Sequence, residues 1–304
     1  MSKKYQTDLW IVGIVKQPIH KFLKTPKKEE IVWINPDHSY QFIADPFGIW
    51  KNKKLYIFVE FLDYRTKKGR IDCMIFDKNL KKISTQNVIK ENSHLSYPYI
   101  IEDDNRIFMI PESSKSGKTY IYEAIDFPSQ WKKIKEIIPN TPLVDASIIK
   151  YKSIWWMFYS LPGKNDRALK EMHIAYSDSL LGEWKKHANN PVSNDIKLSR
   201  PGGKPFLFDK LIHLPVQDSE KTYGAQINIL KIICLSKDTF KAKKIKTLKA
   251  NFHKSFNNGL HTLSECGPVT LIDCKKIDST RSRRWIDWQR RIGRFFPIIH
   301  KIKT

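Results

Sequence analysis

"SYPYIIEDDNRIFMIPES", residues 96–113, is the stretch from which the fold can be read. Its middle reads as two short hydrophobic strands about an acidic turn. Its ends are more specific, with Tyr97 before a proline at the start and Glu112 after one at the close, fifteen positions apart. The same plan recurs in "ADPFGIWKNKKLYIFVE" (44–60), from Asp45 to Glu60, and in "VDASIIKYKSIWWMFYS" (144–160), from Asp145 to Ser160, again fifteen positions each. Weaker copies follow in "RPGGKPFLFDKLIHLPVQD" (200–218) and "LHTLSECGPVTLIDC" (260–274). Starts at 45, 97, 145, 202 and 261 are separated by 52, 48, 57 and 59 residues. Repeats near fifty residues are the mark of radial arrays. About four strands per repeat predict an all-β fold, a five-bladed β-propeller over residues 1–277, with a basic amphipathic C-terminal helix over 278–304. A β-sandwich with fortuitous spacing is the competing architecture.

In a propeller the innermost strand of each blade lines the central channel and the next strand returns beside it, so the start of one and the end of the other share a mouth. That geometry predicts convergence of Asp45, Glu60, Tyr97, Glu112, Asp145 and His261 from distant parts of the chain. Clustered carboxyl groups push one another's pKa values apart, which leaves one as an acid and another as a base or nucleophile. Breaking or making a glycosidic bond needs such a pair. Arg200 in "LSRPGG" suits a phosphate or carboxylate on a ligand, and Gln217 and Asp218 in "PVQD" are further candidate contacts. Tyr97, Tyr99, Trp155, Trp156 and Tyr223 are of a kind that stacks on sugar faces, although "IWWMF" fits blade core better.

The chain has 304 residues, 41% of them hydrophobic, enough for a sizeable core. Its four cysteines have no CxxC spacing, and "MSKKYQTDLWIVGIVKQ" has too short an apolar run for a signal peptide or a membrane span. No metal or cofactor is expected, and a reducing cytoplasm is. The formal charge is +23, and six of the eleven arginines fall after residue 280. In "STRSRRWIDWQRRIGRFFPIIHKIKT" the apolar positions recur at helical spacing between arginines. Arg283, Arg284, Trp285, Trp288, Arg291 and Phe295 are the expected contacts with an anionic membrane surface; packing of the helix on the propeller is the alternative. Nucleic acid is disfavoured, since no recognition motif accompanies the charge.

"FIADPFG", "SYPYI" with "FMIPES", "DFPSQW", "DASI" with "WWMF", "RPGG" with "LPVQDSEKTYG", and "LHTLS" together resemble the propeller domain found N-terminal in glucosamine inositolphosphorylceramide transferases. The resemblance spans roughly residues 31–275. Related bacterial proteins carry this domain in settings tied to surface polysaccharide. More distantly, the Asp-Pro of the first blade is similar to that of five-bladed furanosidases and fructosyltransferases. That similarity implies Asp45 as nucleophile or base and Asp145 as an orienting or pKa-tuning carboxylate, while Glu112 enters as the acid by geometry alone. No counterpart of the plant enzymes' second, nucleotide-sugar-using domain is recognised.

The expected function is a glycosyltransferase of bacterial surface polysaccharide (lipopolysaccharide or capsule) or glycolipid assembly, peripheral to the inner face of the cytoplasmic membrane. Its partners would be a sugar donor and a glycan or glycolipid acceptor. A glycosidase or phosphorylase using the same carboxylates, or a non-catalytic glycan-binding propeller, is the alternative.

Overall fold

The computed structural model describes residues 6–24, 30–280 and Ile286. Its strands form five separate antiparallel sheets, which excludes a sandwich of two. The first blade holds β3 (Gln41–Lys51), β4 (Lys54–Asp63), β5 (Lys68–Phe76) and β6 (Lys82–Ile89). The second holds β7 (Ser96–Asp103), β8 (Arg106–Glu112), β9 (Tyr120–Asp126) and β10 (Gln130–Glu136). The third comprises β11 (Val144–Tyr151), β12 (Ile154–Ser160) and β13 (Glu171–Ser177), edged by the short β14 (Lys185–Lys186) and β15 (Ser193–Asn194). The fourth runs through β16 (Phe206–Phe208), β17 (Leu211–Asp218), β18 (Gln226–Leu235) and β19 (Phe240–Lys249).

The fifth blade is composite. Its inner strands β20 (Leu263–Cys266) and β21 (Val269–Asp278) come from the end of the described chain, and its outer strands β1 (Thr7–Val15) and β2 (Ile31–Ile34) come from the start. β1 pairs with β21 without a break from Thr7↔Asp278 to Val15↔Thr270, which closes the ring by hydrogen bonds between distant segments. The repeat places the N-terminal segment inside the propeller without assigning it to a blade, and the structure makes it the outer half of the fifth. The expected C-terminal helix, with Arg283, Arg284, Trp285, Trp288, Arg291 and Phe295, lies outside the described residues.

Apolar layers fill the spaces between blades. Val12 and Ile14 of the fifth blade pack with Ile57, Val59 and Met74 of the first, and Phe158 and Ile174 of the third pack with Leu214 and Leu230 of the fourth. Each such side chain contributes about 1.5–3 kcal/mol when fully buried. Trp155 and Trp156 belong to this core, 5% and 3% exposed, and are not sugar platforms. Tyr99 is buried too and donates its hydroxyl to the Ile148 carbonyl.

Two backbone devices set the inner hairpins. At their far ends Asn52-Lys53, Asp104-Asn105, Lys152-Ser153 and Asp209-Lys210 all have both φ values positive, the two-residue turn whose twist matches the strands. At the mouth, the pairing slips between Ala44 and Phe47, between Ser96 and Tyr99, and between Val144 and Ser147. In each slip one residue is left-handed: Asp45 (φ 51), Tyr97 (φ 45) and Asp145 (φ 50). A bulge of this kind re-aims a side chain and leaves no ladder bond for a following proline to lose. The residues singled out by the fifteen-residue spacing are therefore the bulge residues of three blades. Ala44, Ser96 and Val144, just before them, pair with Glu60, Glu112 and Ser160.

Candidate active site

Asp45 is buried where the first and fifth blades meet. Its Oδ2 accepts the Tyr97 backbone N–H at 3.2 Å, its Oδ1 accepts the Thr262 hydroxyl at 3.0 Å, and His261 Nε2 lies 3.6 Å from Oδ1. On the other side of that imidazole, Nδ1 is 2.6 Å from Asp273 Oδ2. Asp273 also accepts the backbone N–H groups of Asp45 at 3.1 Å and of His261 and Thr262 at 3.0 Å each. One carboxylate of β21 thus ties the fifth blade to the bulge of the first. His261 is held flat against Trp10, ring centroids 3.8 Å apart, with Tyr223 edge-on at 5.4 Å. Burial opposes a charge on His261, but Asp273 and Asp45 on either side outweigh it and raise its pKa. Burial pushes Asp45 up to about 7; His261 pulls against that, while Glu60, Asp145 and Asp273 add to it.

The second cluster lies beside the first. Asp145 Oδ2 accepts Arg200 Nε and Gln217 Nε2, both at 2.6 Å. The Arg200 guanidinium lies over the Tyr223 ring at 5.3 Å, with its Nη2 3.4 Å from the Tyr223 hydroxyl. Glu112 accepts the Ser114 hydroxyl at 2.7 Å and is hydrogen-bonded to Asp145. Burial and the charge of Asp145 push Glu112 up to about 8, with Arg200 opposing. Burial thus raises two carboxyl groups at this mouth toward neutrality, the range in which one can serve as an acid and another as a base.

Other predicted contacts have different places. Tyr97 is fully buried, and its hydroxyl crosses the channel to Ser147 Oγ at 2.8 Å while accepting the Gly203 N–H at 2.6 Å. It joins the second blade to the third and fourth as a floor under the mouth. Gly203 there has φ +129, and a Cβ would lie 2.0 Å from the Leu263 carbonyl oxygen, so the second glycine of "RPGG" is dictated by the close approach of the fifth-blade backbone. Glu60 is paired with His94 at 3.2 Å. The Asp218 carboxylate is spent inside the fourth blade on Gln226 Nε2 at 2.9 Å and the Glu220 N–H at 3.1 Å. Tyr223, 36% exposed, is the aromatic left open at the mouth.

Trp10, Thr262, Asp273 and Lys275 were not foreseen. Lys275 is fully buried, donating to Asp8 and Thr222 at 3.2 Å each and to the Tyr223 carbonyl. Asp273 carried a signal, an acid inside the apolar run "VTLIDC". The ligand atoms of Asp45, His261 and Asp273 lie within 4.8 Å of one another, close enough to share a cation. In this arrangement Asp273 is already bound to three N–H groups and the imidazole.

Residues 32–264 match the profile of the family described as glucosamine inositolphosphorylceramide transferase 1, N-terminal. Glucosamine inositolphosphorylceramide transferase 1 of Oryza sativa subsp. indica is 30% identical over 261 residues, covering 80% of this chain and 34% of the relative. The Arabidopsis thaliana protein of the same name is 33% identical over 211 residues, covering 67% and 27%. The chain spans about a third of the length of the curated relatives it matches. Among solved structures, the catalytic domain of the Coprinopsis cinerea GH62 alpha-L-arabinofuranosidase superposes with a TM-score of 0.58 at 11% identity, covering 87% of this chain and 97% of that one. At that identity the likeness is one of fold.

Proposed function

The chain belongs to the glucosamine inositolphosphorylceramide transferase N-terminal family, and from that premise we propose that it is a carbohydrate-active enzyme that transfers a sugar to a glycolipid acceptor. The observation that carries this reading is the mouth itself, where Asp45 and Glu112, both raised into the neutral range, are held by groups from four blades. In the proposed reaction Glu112 protonates the leaving oxygen, and Asp45 acts as nucleophile or as base toward the acceptor hydroxyl. Asp145, fixed by Arg200 and Gln217, orients Glu112 and keeps its proton on. Tyr223 provides a face for the sugar ring. The named relatives are plant proteins whose name specifies an inositolphosphorylceramide, so a glycolipid acceptor is preferred here to a bacterial capsule or lipopolysaccharide. Glycoside hydrolysis is the second reading, favoured by the same carboxyl pair, since a mouth that admits water in place of an acceptor hydroxyl would hydrolyse.

The test is to offer the full chain labelled nucleotide sugars with vesicles containing inositolphosphorylceramide and, separately, aryl glycosides in water. Label moving into lipid is expected. Release of free sugar from the aryl glycosides, with no lipid product under any donor, would favour hydrolysis.

A cytoplasmic, membrane-peripheral location is part of the proposal, and its membrane contact rests on the sequence of residues 281–304. Their removal takes away eight lysines and arginines and one aspartate, which lowers the formal charge from +23 by seven. Each basic group near an anionic surface is worth about 1 kcal/mol at most, so truncation is expected to release the protein from anionic vesicles at low salt. Co-sedimentation of full-length and truncated protein, run beside thermal melts, checks this. Unchanged vesicle binding with a much lower melting temperature would make the segment a clasp on the propeller instead.

A further inference from the structure

A cleft of about 450 Å³ opens between the third and fourth blades, outside the central channel. Its volume is within the ~300–1,000 Å³ common to ligand sites. The half-buried Val192 and Leu198 on one side and Phe240 on the other give it an apolar floor over the buried Met172 and Leu230, with Ser193 as a polar group beside them. Lys241 and Lys244 stand on its lining as well. Both come from β19, the outer strand of the fourth blade, which carries five lysines and no acidic residue. Among the described residues, none of these five is ion-paired, whereas other lysines of the surface, such as Lys118, Lys133 and Lys197, find carboxylates.

Lysine on an edge strand ordinarily guards against strand pairing, but that does not account for what stands beside it. The register of β18 against β19 slips twice, between Ile229 and Leu230 and between Ile232 and Cys234. At the first slip the extra residue is Ile245, and at the second Ile233 has no partner; the two are 40% and 56% exposed. Bulges turn a side chain out of the regular alternation, and here each presents an isoleucine to solvent next to the lysines. Cations interleaved with outward aliphatic groups are the composition of a surface that meets an anionic bilayer.

We propose that the cleft between the third and fourth blades binds an anionic lipid, an acyl chain lying against Val192, Leu198 and Phe240 and the phosphate of the headgroup held by Lys241 and Lys244. The site is separate from the carboxylate mouth and does not depend on the sugar-transfer reading. The apolar walls and the cationic rim select together: a free phosphate satisfies only the lysines and a neutral amphiphile only the walls.

The experiment titrates the full chain by calorimetry with dodecyl phosphate below its micellar concentration, with inorganic phosphate, and with neutral dodecyl maltoside. Dodecyl phosphate is expected to bind at least about tenfold more tightly than either of the others. Lys241→Gln with Lys244→Gln should weaken it by about tenfold or more. Ala242→Trp, an exposed position on the cleft lining, should weaken it while leaving the lysines in place. Lys243→Gln with Lys249→Gln removes the same charge from the same strand away from the cleft lining and should leave binding near wild type. Inorganic phosphate binding as well as dodecyl phosphate would reduce the site to a simple anion patch and overturn the proposal. So would equal losses in the two lysine pairs, tight binding of the neutral amphiphile, or indifference to Ala242→Trp in a variant whose thermal melt is intact.

Discussion

Replacement of Glu112 by glutamine is expected to lower sugar transfer by about a thousandfold or more, and Asp45→Asn by a similar factor, with the fold retained. Both substitutions change charge while keeping shape. They differ in what they do to pH dependence. With Asp45 titrating at about 7 and Glu112 at about 8, the productive state has Asp45 deprotonated and Glu112 protonated, so activity peaks between those values. Glu112→Gln should remove the alkaline limb from whatever activity remains. Stability supplies an independent readout. Glu112 has an ordinary value of 4.5 and is raised to about 8 in the fold, so across that interval the native state binds more protons than the unfolded chain. Stability therefore falls as pH rises through the interval. Glutamine lacks this dependence, and the variant should melt at or above the wild-type temperature once the pH exceeds about 8. A variant that keeps full activity, or that melts well below wild type at high pH, contradicts the assignment of Glu112 as a buried acid.

Removing Asp273 should do the opposite, damaging the fold first. Asp273→Ala leaves three buried backbone N–H groups without their acceptor and a buried His261 with one of its two carboxylates gone. Breaking a buried pair of this kind costs about 3–5 kcal/mol, which for a chain of this size lowers the melting temperature by roughly 10 °C. The loss concentrates at the seam between the first and fifth blades, where β1 and β21 close the ring. Hydrogen exchange along Thr7–Val15 should accelerate more than along β12, which is remote from the seam. A melt within a degree or two of wild type would show that the seam does not depend on this carboxylate.

The mouth was legible in the sequence because a bulge leaves a local trace. Asp45-Pro46, Tyr97-Pro98 and Asp145-Ala146 each interrupt a strand pattern at one fixed distance from the end of the return strand, and the repetition made the interruption visible. What could not be read was which of the aligned side chains reach open space. Tyr97 and Asp145 share a backbone conformation, yet the tyrosine is long enough to cross the channel to Ser147 and Gly203, whereas the aspartate stops at Arg200 and Gln217. The fourth blade misled for a related reason. Gln217 and Asp218 are adjacent on a strand, so their side chains take opposite faces, and only Gln217 turns to the mouth. The closure by β1 left no mark at all, since pairing between Trp10 and Lys275 is a relation between segments at opposite ends of the chain, and each reads as an ordinary hydrophobic strand.

The central claim is that a carboxyl group of this mouth keeps its proton at neutral pH so that it can act as the acid. Infrared difference spectra in deuterated buffer, wild type minus Glu112→Gln, follow the protonated carboxyl directly. A protonated-carboxyl band is expected at pH 6 and pH 7, fading as the pH passes about 8. A difference spectrum with no such band at pH 6, only that of an ionised carboxylate, would contradict the account.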